Sequence, residues 1–220
     1  EALMAVLCHM GHLLHVQRQT RDFTAGDVFD MLEDEATDLA ELPRDAAIEA
    51  WKDLMQNGRG VIFCVEQDPE EDSMNDTWRS THLTLQEYFA AKQCVTNARA
   101  ADDLLQSLDA VFGANPSPWL REVHLMVAEI LTGEEFQLLA DRMLKNDDDS
   151  GAASVLITTM LKCRREDTTT GVGEHILKRL SETRSAEIMA EALCHPSDAL
   201  RTQGLTEINE FGMCKSTVAE

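Results

Sequence analysis

A mainly α-helical fold is predicted, in which a winged helix (three helices, a β-hairpin wing and a fourth helix) is followed by a solenoid-like domain of helical hairpins. Three observations predict it. Apolar residues recur at steps of three and four along most of the chain. One interval, between Gly60 and Leu83, reads instead as two short strands around an acidic turn. Beyond Ala100 the helical pattern resumes, interrupted only by short polar links. The winged helix is expected over residues 1–98 and a superhelical, HEAT-like domain over 99–220.

In the opening segment, ALMAVLCHMGHLLHVQ, residues Leu3, Val6, Leu7, Met10, Leu13 and Leu14 mark one face of a helix. Thr24 then offers an N-cap with Asp27 at the third helical position, ahead of Val28, Met31 and Leu32. A third helix follows Pro43, where Ala47, Ile48, Trp51, Leu54 and Met55 repeat, and it stops at Asn57-Gly58. Three helices are thus expected before any strand. GVIFCVEQ supplies the first strand, DPEEDSMND the wing tip and TWRSTHL the return strand.

The next helix is expected from Leu85 to about Asn97. Thr84 would accept from the Glu87 amide while the Glu87 carboxylate reaches back to the Thr84 amide, a capping box, with Leu83 and Tyr88 as its hydrophobic staple. His82 is then held just outside the helix. In the second half, Leu104, Leu105, Leu108 and Val111 mark one helix, and the run Asn115 to Pro118 breaks it. Trp119, Val123, Val127 and Ile130 mark the next, and Phe136, Leu139 and Met143 a third. The link Thr132-Gly133 is so short that these two must pack antiparallel. Further helices are expected over 152–163, 172–180, 186–194 and 199–211.

Composition narrows the function. The 220 residues are 44% hydrophobic, enough for one or two cores. A net charge of -21, from 40 acidic and 19 basic residues, opposes contact with a phosphate backbone or an anionic membrane. Neither nucleic acid nor membrane is an expected partner. No apolar run approaches the ~20 residues of a membrane span, and the start lacks a basic n-region, so a soluble, cytoplasmic protein is expected. Cys8, Cys64, Cys94, Cys163, Cys194 and Cys214 stand singly, as thiols do in a reducing compartment. The chain opens without Met inside a helical pattern, as a piece of a longer protein would.

The segment THLTLQEYFAA, Thr81 to Ala91, resembles the motif that closes the winged-helix domain of NACHT-type signalling ATPases, the group that includes NOD-like receptors. The matching residues are His82, Thr84, Leu85, Gln86, Glu87, Tyr88, Ala90 and Ala91, while Ser80 stands where that family usually has an aromatic. PWLREVHLMVAEILTGEEFQLLADRML is similar to the helical domain that follows in the family. The resemblance implies that His82 contacts the β-phosphate of bound ADP and holds the winged helix against a nucleotide-binding domain at rest. An imidazole near neutral pH can donate to a phosphate oxygen. Read by their own chemistry, Gln86, Glu87 and Tyr88 are expected to serve structure, and the Ala90-Ala91 pair to let another helix approach closely.

Other patterns have plainer readings. His9, His12 and His15 lie about 60° apart in succession on a helix, without an acidic ligand at i+4, and are expected along a polar helix edge. DPEEDSMND lacks the spacing of an EF-hand, and the run Asn146 to Asp149 reads as a link between helices. Gly171-Val172-Gly173 has no strand before it, and no G-x-x-x-x-G-K-[ST] occurs. No catalytic residue or metal ligand is therefore expected, and ADP or ATP with Mg is expected only with an upstream core. The expected function is that of the regulatory region of a NACHT-like signal-transduction ATPase in innate immunity. Its expected partners are the upstream nucleotide-binding domain, other proteins and further copies of itself on activation. The alternative is a non-catalytic helical-repeat scaffold for protein-protein interaction, whose acidic surface would suit a basic partner.

Overall fold

The computed structural model describes residues 2–34, 43–57, 60–69, 74–101, 103–112, 117–145, 152–164 and 171–183. These form a mainly helical chain with one small antiparallel sheet. The expected helices at 186–194 and 199–211, the tip of the acidic loop and the link at 146–150 lie outside the described residues. Among the described residues, no helix is long and apolar enough to cross a membrane. The chain divides into two compact units, Glu1–Ala100 with Pro118–Met126, and Ala101–Ser117 with Val127–Glu220.

The first unit begins with α1 (Ala2–Gly11), which continues as a π-helical segment, His12–Gln17. Then come β1 (Asp22–Thr24), α2 (Ala25–Glu33), α3 (Arg44–Asn57), β2 (Ile62–Glu66), β3 (Thr77–Ser80) and α4 (Leu83–Ala100). The strands run antiparallel in the order β1-β3-β2, with a bulge between Cys64 and Glu66. Strand β1 corrects the expectation of three helices before any strand. Three residues are too few to display a period of two, and β1 exists because β3 pairs with it: Asp22 lies opposite Arg79 and accepts from its guanidinium at 2.5 and 2.8 Å.

The cap expected at Thr24 forms in full. Its backbone N–H donates to Asp27 at 2.8 Å, and its hydroxyl accepts from the Asp27 amide at 3.1 Å. The core of this unit gathers Trp51, Met10, Leu14, Leu32, Ile62 and Phe23, all nearly or fully buried. Helices α1 and α4 meet at backbone distance. A Cβ placed on Gly11 would lie 2.8 Å from the Ala90 nitrogen and from Phe89 Cβ, and 2.9 Å from the Gln86 carbonyl oxygen. Ala90, at this seam, and Ala91 beside it in α4 are both fully buried. Cys8 and Cys94 are buried on the same two helices, and burial pushes the Cys94 thiol up to about 12.

The polar edge expected for the three histidines does not hold. His15 is fully buried, because the helix widens into the π-segment after Gly11 and the α-helical phase is lost. Its ring stacks on Trp119 at 4.7 Å, and the two residues exchange hydrogen bonds. The Trp119 indole donates to the His15 carbonyl at 2.9 Å, and His15 Nε2 donates to the Trp119 carbonyl at 3.1 Å. Nε2 therefore carries the proton and Nδ1 is bare, buried and without a partner. Burial pushes the His15 pKa down, the Trp119 bond opposes this and the Arg21 charge adds to it.

The second unit contains α5 (Leu104–Phe112), then the later part of α6 (Arg121–Ile130), α7 (Gly133–Lys145), α8 (Ala152–Cys163) and α9 (Val172–Thr183). Asp103 caps α5, accepting from the amides of Leu105 and Gln106 at 3.0 and 3.1 Å. Thr132 and Glu135 make a capping box for α7, with bonds of 2.7 and 3.3 Å. The buried Arg164 donates to the carbonyls of Ala128 and Leu131 near the end of α6, and its guanidinium lies 4.7 Å above the Phe136 ring. His175 of α9 reaches Asp141 of α7 at 3.0 Å.

The α1–α4 seam gives a stability test. Gly11→Ala is expected to cost about 1–3 kcal/mol by overpacking, lowering the thermal midpoint by about 2–4 °C for each kcal/mol. Gly60→Ala, with nothing within 4 Å of its Cβ position, is the control and leaves the midpoint within about 1 °C.

Candidate functional site

The motif from His82 to Ala91 occupies the passage from β3 into α4. Ser80 ends the strand nearly buried, and the Thr81 N–H donates to the Val61 carbonyl at 2.8 Å. The helix starts at once. Leu83 is its first residue, and the Leu85 N–H donates to the His82 carbonyl at 3.1 Å. The expected start at Leu85 is thus two residues late, and His82 stands at the boundary of the helix itself.

This shift undoes the expected capping box. Thr84 lies within the first turn, exposed, and no bond joins it to Glu87. Glu87 is buried at 6% exposure. Burial first and the Glu122 charge second push its pKa up, while Arg21 opposes them. Tyr88 is no staple: it stands 40% exposed and meets Phe89 edge-on at 5.6 Å. Leu85 is half-buried against the core. Gln86, by contrast, is buried and bonded. At 1% exposure it donates from Nε2 to the Thr20 carbonyl at 2.7 Å, tying α4 to the turn that leads into β1. That turn is itself tight, since Gln19 adopts a φ of 52°.

His82 is exposed, and its ring has no hydrogen-bond partner among the described residues. A strand-end histidine bonded to backbone, the plain alternative for this residue, would show such a partner. Both ring nitrogens are instead open to a group arriving from outside.

Beside His82 lies a half-enclosed cleft of about 250 Å³, lined by Arg21, Phe63, Arg79, Ser80, Thr81, Leu83 and Gln86. Sheet register assembles it: Arg79 lies between Asp22 on β1 and Phe63 on β2, and all three side chains share one face of the sheet. Nothing in the sequence announces this cleft. Its two arginines are far apart in the chain, and no spacing rule joins them. Among the described residues, no group of three or more His, Cys, Asp and Glu is placed to hold a metal ion.

No model of a known protein family, no curated protein and no solved structure matches the chain. An exposed imidazole and the exposed Arg21 guanidinium stand at this passage, while Arg79 is already paired with Asp22.

Glu87 supplies a test that depends on pH. Its pKa in the folded chain lies above the ordinary 4.5, so the fold favours the neutral acid. That contribution is intact below pH 4.5 and is lost as pH rises through the folded value. Glu87→Gln keeps the shape and removes the charge. It is expected to raise the thermal midpoint at pH 7 and to match the parent near pH 4; an equal shift at both would contradict the charge argument.

Proposed function

We propose that this chain is the regulatory region of a NACHT-like signal-transduction ATPase, acting in the cytoplasm, in which the first unit is a winged helix and the second a superhelical domain. The observation that carries this is the position of His82: exposed, without a partner among the described residues, at the point where β3 passes into α4. The order of helices and strands around it, with β2 and β3 as the wing and β1 completing the sheet, supports the same assignment. The chain itself performs no catalysis in this proposal. ADP is bound by a P-loop core upstream, and His82 donates from its ring to the β-phosphate.

The residues around His82 fit that task. The bond from Thr81 to Val61 and the immediate start of α4 fix the backbone on both sides of the ring. Buried Gln86, Ala90 and Ala91 anchor the helix behind it. A rigid mount of this kind lets one phosphate contact hold a whole domain, and loss of the contact releases it as a body.

The test needs the full-length protein with its nucleotide-binding core. His82→Ala is expected to weaken ADP binding at least tenfold, about 1.4 kcal/mol, and to shift the resting state toward the open form. Unchanged ADP affinity together with an unchanged resting state would refute the clamp.

A further inference from the structure

Strand β2 lies at one side of the sheet, and among the described residues β3 is the strand that pairs with it. Its register shows which of its backbone groups are used. Ile62 lies opposite Ser80 and Phe63 opposite Arg79, so Val61 faces Thr81, whose N–H donates to the Val61 carbonyl at 2.8 Å. In an antiparallel pair, residues that exchange bonds alternate with residues that do not. Val61 and Phe63 therefore bond toward β3, while the N–H and C=O of Ile62 and Cys64 point away from it. Two donors and two acceptors spaced in this way are a template for one more strand.

The edge lacks the usual guards against such pairing. Neither Lys nor Pro occurs in β2, and the bulge between Cys64 and Glu66 lies at its far end, leaving Ile62–Cys64 regular. Phe63 is 42% exposed and Val65 45%. Ile62 is buried in the core and holds the strand in place beneath them.

Charge decides what can pair there. From Gly60 to Asp76 the sequence contains no Lys, Arg or His, and Arg59 lies outside the described residues. Glu66 is exposed at the end of β2, and Asp68 and Asp76 stand half-buried beyond it, the Asp68 N–H donating to the Asp76 carboxylate at 2.8 Å. Burial first and the Asp76 charge second push the Cys64 thiol up, so the negative field extends to the edge itself. Arg79, opposite Phe63, is already paired with Asp22. A second copy of this edge would bring the same carboxylates with it, on a chain of net charge -21, and is opposed by repulsion.

We propose that β2 is a docking edge for an extended, basic peptide segment of another protein, which adds as a fourth strand on Ile62 and Cys64, lays an apolar side chain against Phe63 and sets a lysine or arginine in the field of Glu66 and Asp76. Main-chain bonds supply the affinity and the acidic end selects the sign of the partner.

The experiment is a nuclear magnetic resonance titration of the 220-residue chain with a peptide of alternating valine and lysine, at constant ionic strength and pH 7. Two control peptides accompany it: one with glutamate in place of lysine, and one that keeps the lysines but is N-methylated at its two central residues. Saturable shifts and slowed hydrogen exchange are expected at the Ile62 and Cys64 amides, with both controls weaker by about tenfold or more. Glu66→Lys, a change at an exposed position, is expected to weaken the basic peptide by about threefold or more while the rest of the spectrum is kept. Equal binding of the N-methylated peptide would reduce the effect to bulk charge and overturn the proposal. Equal binding of the acidic peptide, unchanged affinity in Glu66→Lys, or no response at the two amides also overturns it. A dimer of the chain whose formation slows exchange at Ile62 and Cys64 would assign the edge to a second copy instead.

Discussion

Helices α1 and α4 can approach to backbone distance because position 11 has no side chain and positions 90 and 91 have almost none. Much of the first unit follows from that approach. With the two helices locked together, Gln86 reaches across to the Thr20 carbonyl and fixes the turn that delivers Asp22 to β1. Asp22 then meets Arg79 and completes a sheet of three strands. The end of β3 and the start of α4 are consequences of the same seam, and so is the exposed position of His82. A methyl group at Gly11 would press on the element that mounts the functional passage.

The unequal use of positive charge is the second organising feature. With 40 acidic residues against 19 basic ones, positive charge is outnumbered, and several arginines have structural work. Arg18 pairs with Asp27, which burial alone would push up and which the Arg18 and Thr24 bonds bring down. Arg44 donates to the Leu32 carbonyl, and Arg164 to two carbonyls near the end of α6, where a cation suits the negative pole of the helix. Arg21 stands apart from these. Its charge is felt by His15, Asp22 and Glu87, and its side chain lines the cleft.

The sequence made most helices legible, and it was least informative where tertiary contacts decide. Periodicity located α2, α3 and α5 to α9 closely, since each pairs an apolar face with a cap or a breaker. Among the described residues the four-letter pattern T-x-x-E occurs twice and makes a capping box once. At Thr132 and Glu135 it makes a capping box, because the link before α7 is free to take the cap geometry. At Thr84 and Glu87 it does not, because β3 hands the chain to α4 two residues earlier and leaves Thr84 inside the helix. The histidine spacing misled for a related reason: a π-segment changes the angle between successive side chains, and His15 turns inward. His82 could be singled out by its motif, whereas Arg21 and Arg79 are brought together by a strand too short to read.

The two buried thiols of the seam give the first unit an internal clock. A thiolate is the species that reacts, and Cys94 at a pKa of about 12, with Cys8 also raised by burial, presents almost none while the helices stay closed. Alkylation at these two positions must then wait for α1 to leave α4, and its rate counts how often that happens. Cys64, half-buried on the edge strand, needs no such event, although burial and the Asp76 charge raise its thiol as well and its Sγ donates to the Glu66 carbonyl. One protein thus carries thiols that differ in what must move before a reagent can meet them.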